Sequence, residues 1–293
     1  MRIVFIGTVE SSYKKLEKTL ELGGNVVGVV TKEKSSFNSD YKDLSTICYK
    51  YSIPILFYDK SNEEELEYWI RKRSCDVIFC FGWSHLIKKN ILNIPAKGVI
   101  GFHPTKLPFN RGRHPMIWAL GLGLQTTAST FFVMDDFADS GDILSQKEIK
   151  IDSEDTARSL YDKIISCALE QIEEFLPKLI SGDHVLLKQN HKIANNWRKR
   201  STSDEKIDFR MSSNAIYNLV RSLTHPYCGA HILVDGKKIK VWKVREVKSS
   251  LSNIEYGKIL KVLDSSFVVK TIDAAIEVID HDFKVLPNVG EYL

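Results

Sequence analysis

The sequence has few of the features that mark disulfide-linked, membrane-spanning or metal-binding proteins. Its five cysteines are scattered and lack Cys-x-x-Cys spacing, so neither a disulfide framework nor a zinc site is predicted. No apolar run approaches the roughly 20 residues that cross a bilayer. The opening run MRIVFIG is too short for a secretion signal and predicts a first strand. These absences favour a cytoplasmic protein without a membrane partner.

Charge and glycine spacing exclude two further classes. A formal charge of +4 over 293 residues is mild and does not by itself indicate a nucleic-acid partner. The eight histidines and the acidic residues show no ligand spacing, so no metal is expected. The dinucleotide motif G-x-G-x-x-G is absent, since Gly7 is followed by Thr8-Val9-Glu10, and a nicotinamide cofactor is therefore not expected.

Short apolar runs alternate with helical patterns through the first two thirds of the chain. The continuous apolar runs Val77–Phe81 and Gly98–Phe102 are typical of central parallel strands buried on both faces. This alternation predicts an α/β fold with a doubly wound, mostly parallel sheet, whose sites lie beyond the carboxyl ends of the strands. A long helix is expected from Asp152 to about Ile180.

The last third of the chain changes character. The pair Asp235-Gly236 between alternating runs predicts a β-hairpin, and further short strands follow it. We therefore expect three parts: a catalytic domain over residues 1–187, a linker over 188–209 and a small β-rich C-terminal domain over 210–293.

Two candidate chemical groups stand at strand ends. His103 follows one of the buried runs, and thirty-six positions later Asp139 lies in the turn Ala138–Leu144. An imidazole and a carboxylate displayed together can move protons at a carbonyl centre. Each also has a structural explanation, because a strand-end histidine is often only hydrogen-bonded and Asp-Ser-Gly-Asp readily forms a turn.

The blocks around these two residues resemble the folate-dependent formyltransferases, which move a formyl group from N10-formyltetrahydrofolate to an amine. The family pattern is Asn-x-His, then Leu-Pro-x-x-Arg-Gly-x-x-Pro, then Asp-x-Gly-Asp. The matching residues are His103, Leu107, Pro108, Arg111, Gly112, Pro115, Asp139, Gly141 and Asp142. The family's asparagine falls on Gly101, which has no side chain to hold the formyl oxygen.

The resemblance implies a role for each candidate residue. His103 and Asp139 would move protons, and Asn110 or His114 would supply the missing hydrogen-bond donor. Asn110 is equally suited to a left-handed turn, and His114 to a helix cap.

Binding residues are also implied by the resemblance. The pterin ring of the folate would lie against residues after the buried strand and near a later one, namely Gly82, Trp83, Leu86, Met134, Asp136 and Phe137. Trp83 could equally belong to the core. The turn that carries Thr8, Ser11 and Ser12 would face the substrate, because such turns present backbone N–H groups to anions, although they are also ordinary connections.

Three classes of relative differ in the amine that they formylate. The methionyl-tRNA enzymes carry a longer basic loop after the second strand, whereas Lys32–Tyr41 is short and nearly charge-balanced. The only dense basic cluster is Arg198–Arg200, which fits either a solvated linker or a single phosphate contact. The glycinamide ribonucleotide enzymes generally lack a C-terminal domain. The segments 198–209 and 223–227 look most like the enzymes that act on amino sugars.

We therefore predict N-formylation of a nucleotide-linked amino sugar, a small-molecule partner of the kind used in cell-surface polysaccharide biosynthesis. Nucleic acid is not the expected partner, and a homodimer is expected only by analogy with the sugar-modifying relatives. Two alternatives stay open. One is a methionyl-tRNA formyltransferase, and the other is a catalytically silent relative that binds folate or a sugar nucleotide.

Overall fold

The computed structural model describes residues 1–34, 39–59 and 63–293, so positions 35–38 of the Lys32–Tyr41 loop lie outside the described residues. The chain divides into two compact units. The first contains Met1–Gly112, Thr127–Ile149 and Asp162–Trp197, and the second contains Arg113–Thr126, Lys150–Tyr161 and Arg198–Leu293. The domain boundaries given above stay a prediction.

The first unit is built on a seven-stranded sheet in the order β3-β2-β1-β4-β5-β7-β8. Its strands are β1 (Arg2–Ile6), β2 (Asn25–Thr31), β3 (Ile55–Phe57), β4 (Val77–Cys80), β5 (Val99–His103), β7 (Thr126–Val133) and β8 (Ile143–Lys150). Five neighbouring strands run parallel, namely β3, β2, β1, β4 and β5. Strand β7 pairs antiparallel with β5. The predicted doubly wound, mostly parallel sheet is confirmed.

Strand β4 shows why its sequence is continuously apolar. Val77 and Phe79 belong to the core on one face of the sheet, and Ile78 and Cys80 belong to the core on the other face. The helices that accompany the sheet are α1 (Glu10–Glu21), α2 (Ser45–Lys50), α3 (Glu63–Arg73) and α4 (Lys89–Leu92). The strand order reverses between β1 and β4, so the crevice at their carboxyl ends is where ligands of open α/β sheets bind.

The long helix α6 (Ala157–Ser181) begins five residues later than its acidic sequence suggested. The Asp155 carboxylate accepts hydrogen bonds from the Asp152 N–H at 2.8 Å and from the Ser159 hydroxyl at 2.8 Å. The Ser159 hydroxyl also accepts the Thr156 N–H at 3.0 Å. These side-chain bonds hold residues 152–156 in a turn and delay the first helical residue.

The second unit contains a five-stranded antiparallel sheet in the order β10-β11-β14-β13-β12. Its elements are α5 (Pro115–Gly121), α7 (Ser213–Leu223), β10 (Ala230–Val234), β11 (Lys237–Val247), β12 (Ile259–Val262), β13 (Phe267–Lys270) and β14 (Ala275–His281). Asp235 and Gly236 both have positive φ, 48° and 75°, as a two-residue hairpin turn requires. The predicted β-rich C-terminal part is confirmed.

The segment predicted as a linker is partly ordered into the first unit. Its strand β9 (Asn196–Trp197) pairs in parallel with β6 (Arg111–Gly112), which lies in the Arg-Gly motif. A Cβ on Gly112 would lie 2.4 Å from the Trp197 carbonyl oxygen, so this close pairing needs glycine. The pairing makes residues after 188 part of the candidate site.

Candidate active site

His103 ends strand β5 with both ring nitrogens facing acceptors. Its side chain is 6% exposed, and Nε2 lies 2.9 Å from the carbonyl oxygen of Asn110. A carbonyl can only accept, so Nε2 carries the proton in the neutral ring. The other nitrogen, Nδ1, lies 3.6 Å from Oδ2 of Asp139. That distance exceeds a hydrogen bond, so in the neutral ring an unprotonated nitrogen faces a carboxylate across a short gap.

Asp139 is held in place by the turn that the sequence motif predicted. Its φ is 55°, and its Oδ2 accepts the Gly112 N–H at 2.9 Å. A Cβ on Gly141 would lie 1.7 Å from the Val133 carbonyl oxygen, so only glycine fits that position. The structure therefore brings His103 and Asp139 together, and it does so through the loop 110–112.

Gln189 supports the same turn, although no sequence motif indicated it. Its Nε2 donates to the carbonyls of Asp139 at 3.0 Å and Gly141 at 2.7 Å. Its Oε1 accepts from the Arg111 guanidinium at 2.6 Å, and both side chains are buried. Gln189 lies in the segment predicted as a linker, where no local motif distinguishes it from a solvent-facing glutamine.

Gly101 leaves no room for the side chain that the family pattern carries there. A Cβ on Gly101 would lie 2.8 Å from Cζ of Phe132 and 2.9 Å from Cγ of Met134. Both distances are shorter than Cβ contacts in real proteins. Two apolar side chains therefore fill the space beside this strand position.

Asn110 and His114 were the two candidates for the missing donor, and both adopt left-handed backbone, with φ of 63° and 56°. Asn110 lies in the first unit with His103 and Asp139. His114 lies in the second unit as the N-cap residue of α5, and its side chain makes no capping hydrogen bond. Burial, with the charges of Arg113 and Arg200, lowers the pKa of His114 below its usual value.

The predicted folate-binding residues follow β4 and β7. Leu86 and Phe137 are 73% and 76% exposed. Trp83 is half-buried and packs edge-on against Tyr58, with ring centroids 5.3 Å apart. Asp136 forms an exposed ion pair with Lys89 at 3.0 Å. The assignment of these residues to the folate stays a prediction.

Gly82 and Met134, the other two predicted folate-binding residues, are held by contacts with neighbouring strands and turns. Gly82 has a φ of 70°, and a Cβ there would lie 2.3 Å from Cγ2 of Val9. Met134 is half-buried, and its backbone N–H donates to the Val99 carbonyl at 2.7 Å. A side chain at position 82 would therefore displace Val9 or Ser12.

The predicted substrate-binding turn joins β1 to α1, and its hydroxyls bond within the protein. Thr8 Oγ1 donates to the Gly82 carbonyl at 3.2 Å, and Ser12 Oγ donates to the Phe81 carbonyl at 2.5 Å. Thr8, Ser11 and Ser12 are all buried. Thr8 and Ser12 thus tie the turn to the end of β4 at the point where strand order reverses. A substrate role for these three residues stays a prediction.

Two expected absences concern metals and membranes. Within residues 1–34, 39–59 and 63–293, no group of three or more His, Cys, Asp or Glu side chains could hold a metal ion. Over the same described ranges, no helix combines the length and apolar character needed to cross a bilayer.

Comparison with known proteins agrees with this geometry. Residues 1–176 match the family model for formyl transferase, and residues 199–285 match that for the formyl transferase C-terminal domain. The methionyl-tRNA formyltransferase of Clostridioides difficile (strain 630) is 30% identical over 299 residues, which cover 100% of this chain and 96% of that protein. The bifunctional polymyxin resistance protein ArnA of Wigglesworthia glossinidia brevipalpis is 32% identical over 249 residues. That match covers 83% of this chain but only 38% of ArnA.

Two solved structures share the fold at low sequence identity. WlaRD, a sugar 3N-formyl transferase crystallised with dTDP and 5-N-formyl-THF, gives a TM-score of 0.72 at 18% identity and covers 97% of this chain and 99% of its own. The N-formyltransferase of Helicobacter canadensis, crystallised with folinic acid and dTDP-3-aminofucose, gives 0.73 at 17% identity, with coverage of 95% and 98%. The two family matches and the full-length relative show that this chain belongs to the formyltransferase family, whose members transfer the formyl group of N10-formyltetrahydrofolate.

Proposed function

We propose that this chain transfers the formyl group of N10-formyltetrahydrofolate to the amino group of a nucleotide-linked amino sugar. The observation that carries the chemistry is the pair of the buried His103 and the half-buried Asp139, with Nδ1 and Oδ2 separated by 3.6 Å. An amine N–H that approaches both atoms from the side meets two acceptors, so the pair is suited to remove the proton that the attacking nitrogen must lose.

The formyl oxygen gains negative charge as the amine adds, and the departing folate nitrogen must take up a proton. The proton held by the His103–Asp139 pair is available for that second transfer. Asn110 is our candidate donor to the formyl oxygen, since its carbonyl already binds His103. His114 belongs to the second unit, and its role as an alternative donor stays a prediction from the sequence.

The folate donor fits the side chains that follow β4 and β7. Leu86, Phe137 and Trp83 would contact the pterin ring, and Gly82, Met134 and Asp136 would contact it through the adjoining backbone. The exposure of Leu86 and Phe137 supports this assignment, because an apolar ligand would cover surface that otherwise faces water. The turn that carries Thr8, Ser11 and Ser12 would face the acceptor through its backbone.

The contacts made by the basic cluster Arg198–Arg200 favour a small acceptor over a nucleic acid. The Arg198 guanidinium donates to Asp204 at 2.8 Å, and Arg200 donates to the backbone carbonyl of the same residue. Both guanidinium groups also lie over the Trp118 ring, at 5.2 Å and 4.8 Å. Two of the three cluster residues are thus engaged within the protein, which weakens the case for a phosphate-binding surface. The fold likeness to WlaRD and the Helicobacter enzyme supports the same choice.

Methionyl-tRNA formylation is the second candidate function, because the full-length relative from Clostridioides difficile carries that name. A catalytically silent binder is disfavoured by the retained His103–Asp139 geometry. Four further parts of this proposal rest on analogy with the relatives. They are the division into a catalytic domain, a linker and a C-terminal domain, the cytoplasmic location, the role in polysaccharide biosynthesis and the homodimer.

A panel assay tests the proposed function. Purified protein is mixed with N10-formyltetrahydrofolate and, separately, with several dTDP- and UDP-linked amino sugars and with methionyl-tRNA, and release of tetrahydrofolate is followed. We expect turnover with at least one sugar nucleotide. Turnover with methionyl-tRNA alone would replace the proposed acceptor, and folate binding without turnover by any acceptor would favour the silent binder.

A further inference from the structure

The hydrogen bonds around Asn195 fix the direction in which the Asn110 amide points. We propose that Asn195 is a positioning residue, which turns the Asn110 side chain so that its Nδ2 donates to the formyl oxygen in place of the side chain missing at Gly101. The inference rests on the formyl transfer proposed above.

The strand position that carries the donor in the family pattern is closed in this protein. Phe132 and Met134 occupy the volume beside Gly101, at 2.8 Å and 2.9 Å from a Cβ built there. Glycine has no side chain to donate from this position, so the donor must come from elsewhere in the site.

The loop that begins at Asn110 already contacts both members of the proton-moving pair. The Asn110 carbonyl accepts from Nε2 of His103 at 2.9 Å, and the Gly112 N–H donates to Oδ2 of Asp139 at 2.9 Å. The Asn110 side chain therefore starts from a backbone that is fixed relative to His103 and Asp139. Its left-handed φ of 63° is supported by these bonds.

Donor and acceptor rules orient both amides without ambiguity. The Asn110 backbone N–H can only donate, and it lies 2.8 Å from the Asn195 side chain, so the Asn195 atom that it meets is Oδ1. The other Asn195 atom is then Nδ2, which lies 3.1 Å from the Asn110 side chain, so the Asn110 atom that it meets is Oδ1. The Nδ2 group of Asn110 consequently points away from Asn195, and within residues 1–34, 39–59 and 63–293 it donates to no protein atom.

Asn195 is itself anchored to the same loop. Its backbone carbonyl accepts the Arg111 N–H at 3.1 Å, and the following residues, Asn196 and Trp197, form the strand that pairs with Arg111 and Gly112. The Asn110 side-chain amide thus accepts one hydrogen bond from Asn195, and Asn195 in turn accepts two more from the backbone N–H groups of Asn110 and Arg111. A donor fixed before the reaction is the arrangement that stabilises developing charge most effectively.

Replacing Asn195 by aspartate tests the orientation directly. In Asn195→Asp, one carboxylate oxygen still accepts the backbone N–H of Asn110. The other carboxylate oxygen repels Oδ1 of the Asn110 side chain and favours a flipped side-chain amide. The flipped amide would present an oxygen to the formyl oxygen. We expect kcat to fall roughly 100-fold, the loss typical of one such donor, while the dissociation constant of tetrahydrofolate changes less than about twofold.

Asn190→Asp is the matched control. Asn190 is exposed and lies five residues earlier, and its Oδ1 accepts the Lys192 N–H at 3.1 Å, a bond that aspartate retains. We expect kcat of this variant to stay within about twofold of wild type. Thermal unfolding of both variants checks that neither change acts through loss of the fold.

A double-variant cycle separates positioning from a merely structural role. In an Asn110→Ala background, Asn195→Asp should lower kcat no further, because the amide that it orients is gone. Equal kcat for Asn195→Asp and wild type, or full additivity in the double variant, would overturn the inference while leaving formyl transfer intact. Absence of turnover by the wild type with every amine would instead remove the proposed function and this inference with it.

Discussion

Gln189 donates from one side-chain nitrogen to the backbone carbonyls of Asp139 and Gly141, at 3.0 Å and 2.7 Å. Its oxygen accepts from the buried Arg111 guanidinium at 2.6 Å. One residue thus links the Arg-Gly loop to the Asp turn, and these are the two segments that place Asp139 beside His103.

This linkage makes Gln189→Met a sharp test, because methionine keeps the length of the side chain and removes its polar atoms. The buried Arg111 guanidinium and two turn carbonyls would lose a partner, which we expect to cost roughly 1–3 kcal/mol of unfolding free energy. The Asp139 turn would also loosen, so kcat should fall at least tenfold. Chemical denaturation and the panel assay measure the two effects. Asn190→Asp, an exposed neighbour that keeps its bond from the Lys192 N–H, is the control, and equal behaviour of the two variants would refute the linkage.

Removal of either member of the proton-moving pair should abolish most turnover. We expect His103→Asn or Asp139→Asn to lower kcat by roughly 100-fold or more, because neither variant can pass a proton along the pair. Tetrahydrofolate binding, measured by calorimetry, should survive, since neither residue is assigned to the folate. Asp183→Asn, on an exposed turn, serves as the control. Near-wild-type kcat in both site variants would eliminate the proposed mechanism.

Restoring the family's asparagine should harm this protein. Gly101→Asn places a Cβ 2.8 Å from Phe132 and 2.9 Å from Met134, so we expect a loss of roughly 1–3 kcal/mol in unfolding free energy and no gain in kcat. Gly121→Ala is the control substitution, because a Cβ there has its nearest contact at an ordinary 3.6 Å, from Oγ of Ser222. A Gly101→Asn variant that is as stable as wild type and faster would contradict the packing argument.

Lys15 predicts a pH dependence of stability. Its side chain is fully buried with Nζ 3.6 Å from the centroid of the Phe102 ring, and burial lowers its pKa to about 7. Between pH 7 and the unfolded pKa of 10.5 the unfolded chain binds more protons, so this residue's contribution to stability improves as pH rises.

The comparison with Lys15→Met isolates that contribution, because methionine is similar in volume and does not titrate. We expect the variant to be the more stable protein at pH 7. Its advantage should shrink by roughly 1.5 kcal/mol by pH 8.5, and the thiols that also titrate in this range are the same in both proteins. Urea denaturation at the two pH values gives the difference, and a constant difference would show that Lys15 does not titrate in this range.

The local sequence was sufficient to predict the sheet, the hairpin at Asp235-Gly236 and the family. Strand β4 is buried on both faces, and its sequence is an unbroken apolar run. The matched motifs indicated the family, and the family identifies the formyl donor. These predictions are confirmed. The roles of the individual site residues, including the turn from Thr8 to Ser12, stay predictions.

The parts that could not be predicted depend on long-range contacts. Gln189 and Asn195 bond to residues some fifty to eighty-five positions away, and neither lies in a recognisable motif. The start of α6 depended on how Asp155 divides its hydrogen bonds, which composition alone does not specify. Gly101 was visible as a departure from the family pattern, but its explanation required the positions of Phe132 and Met134.

The most direct test of the account is a competition in a single mixture. The protein is given N10-formyltetrahydrofolate with an isotopically labelled formyl group, together with the amino-sugar nucleotides and methionyl-tRNA, and the labelled product is identified by mass spectrometry. The account predicts label on the amino group of a sugar nucleotide with wild-type protein and almost none with His103→Asn. Label on methionyl-tRNA alone, or equal labelling by the two proteins, would contradict it.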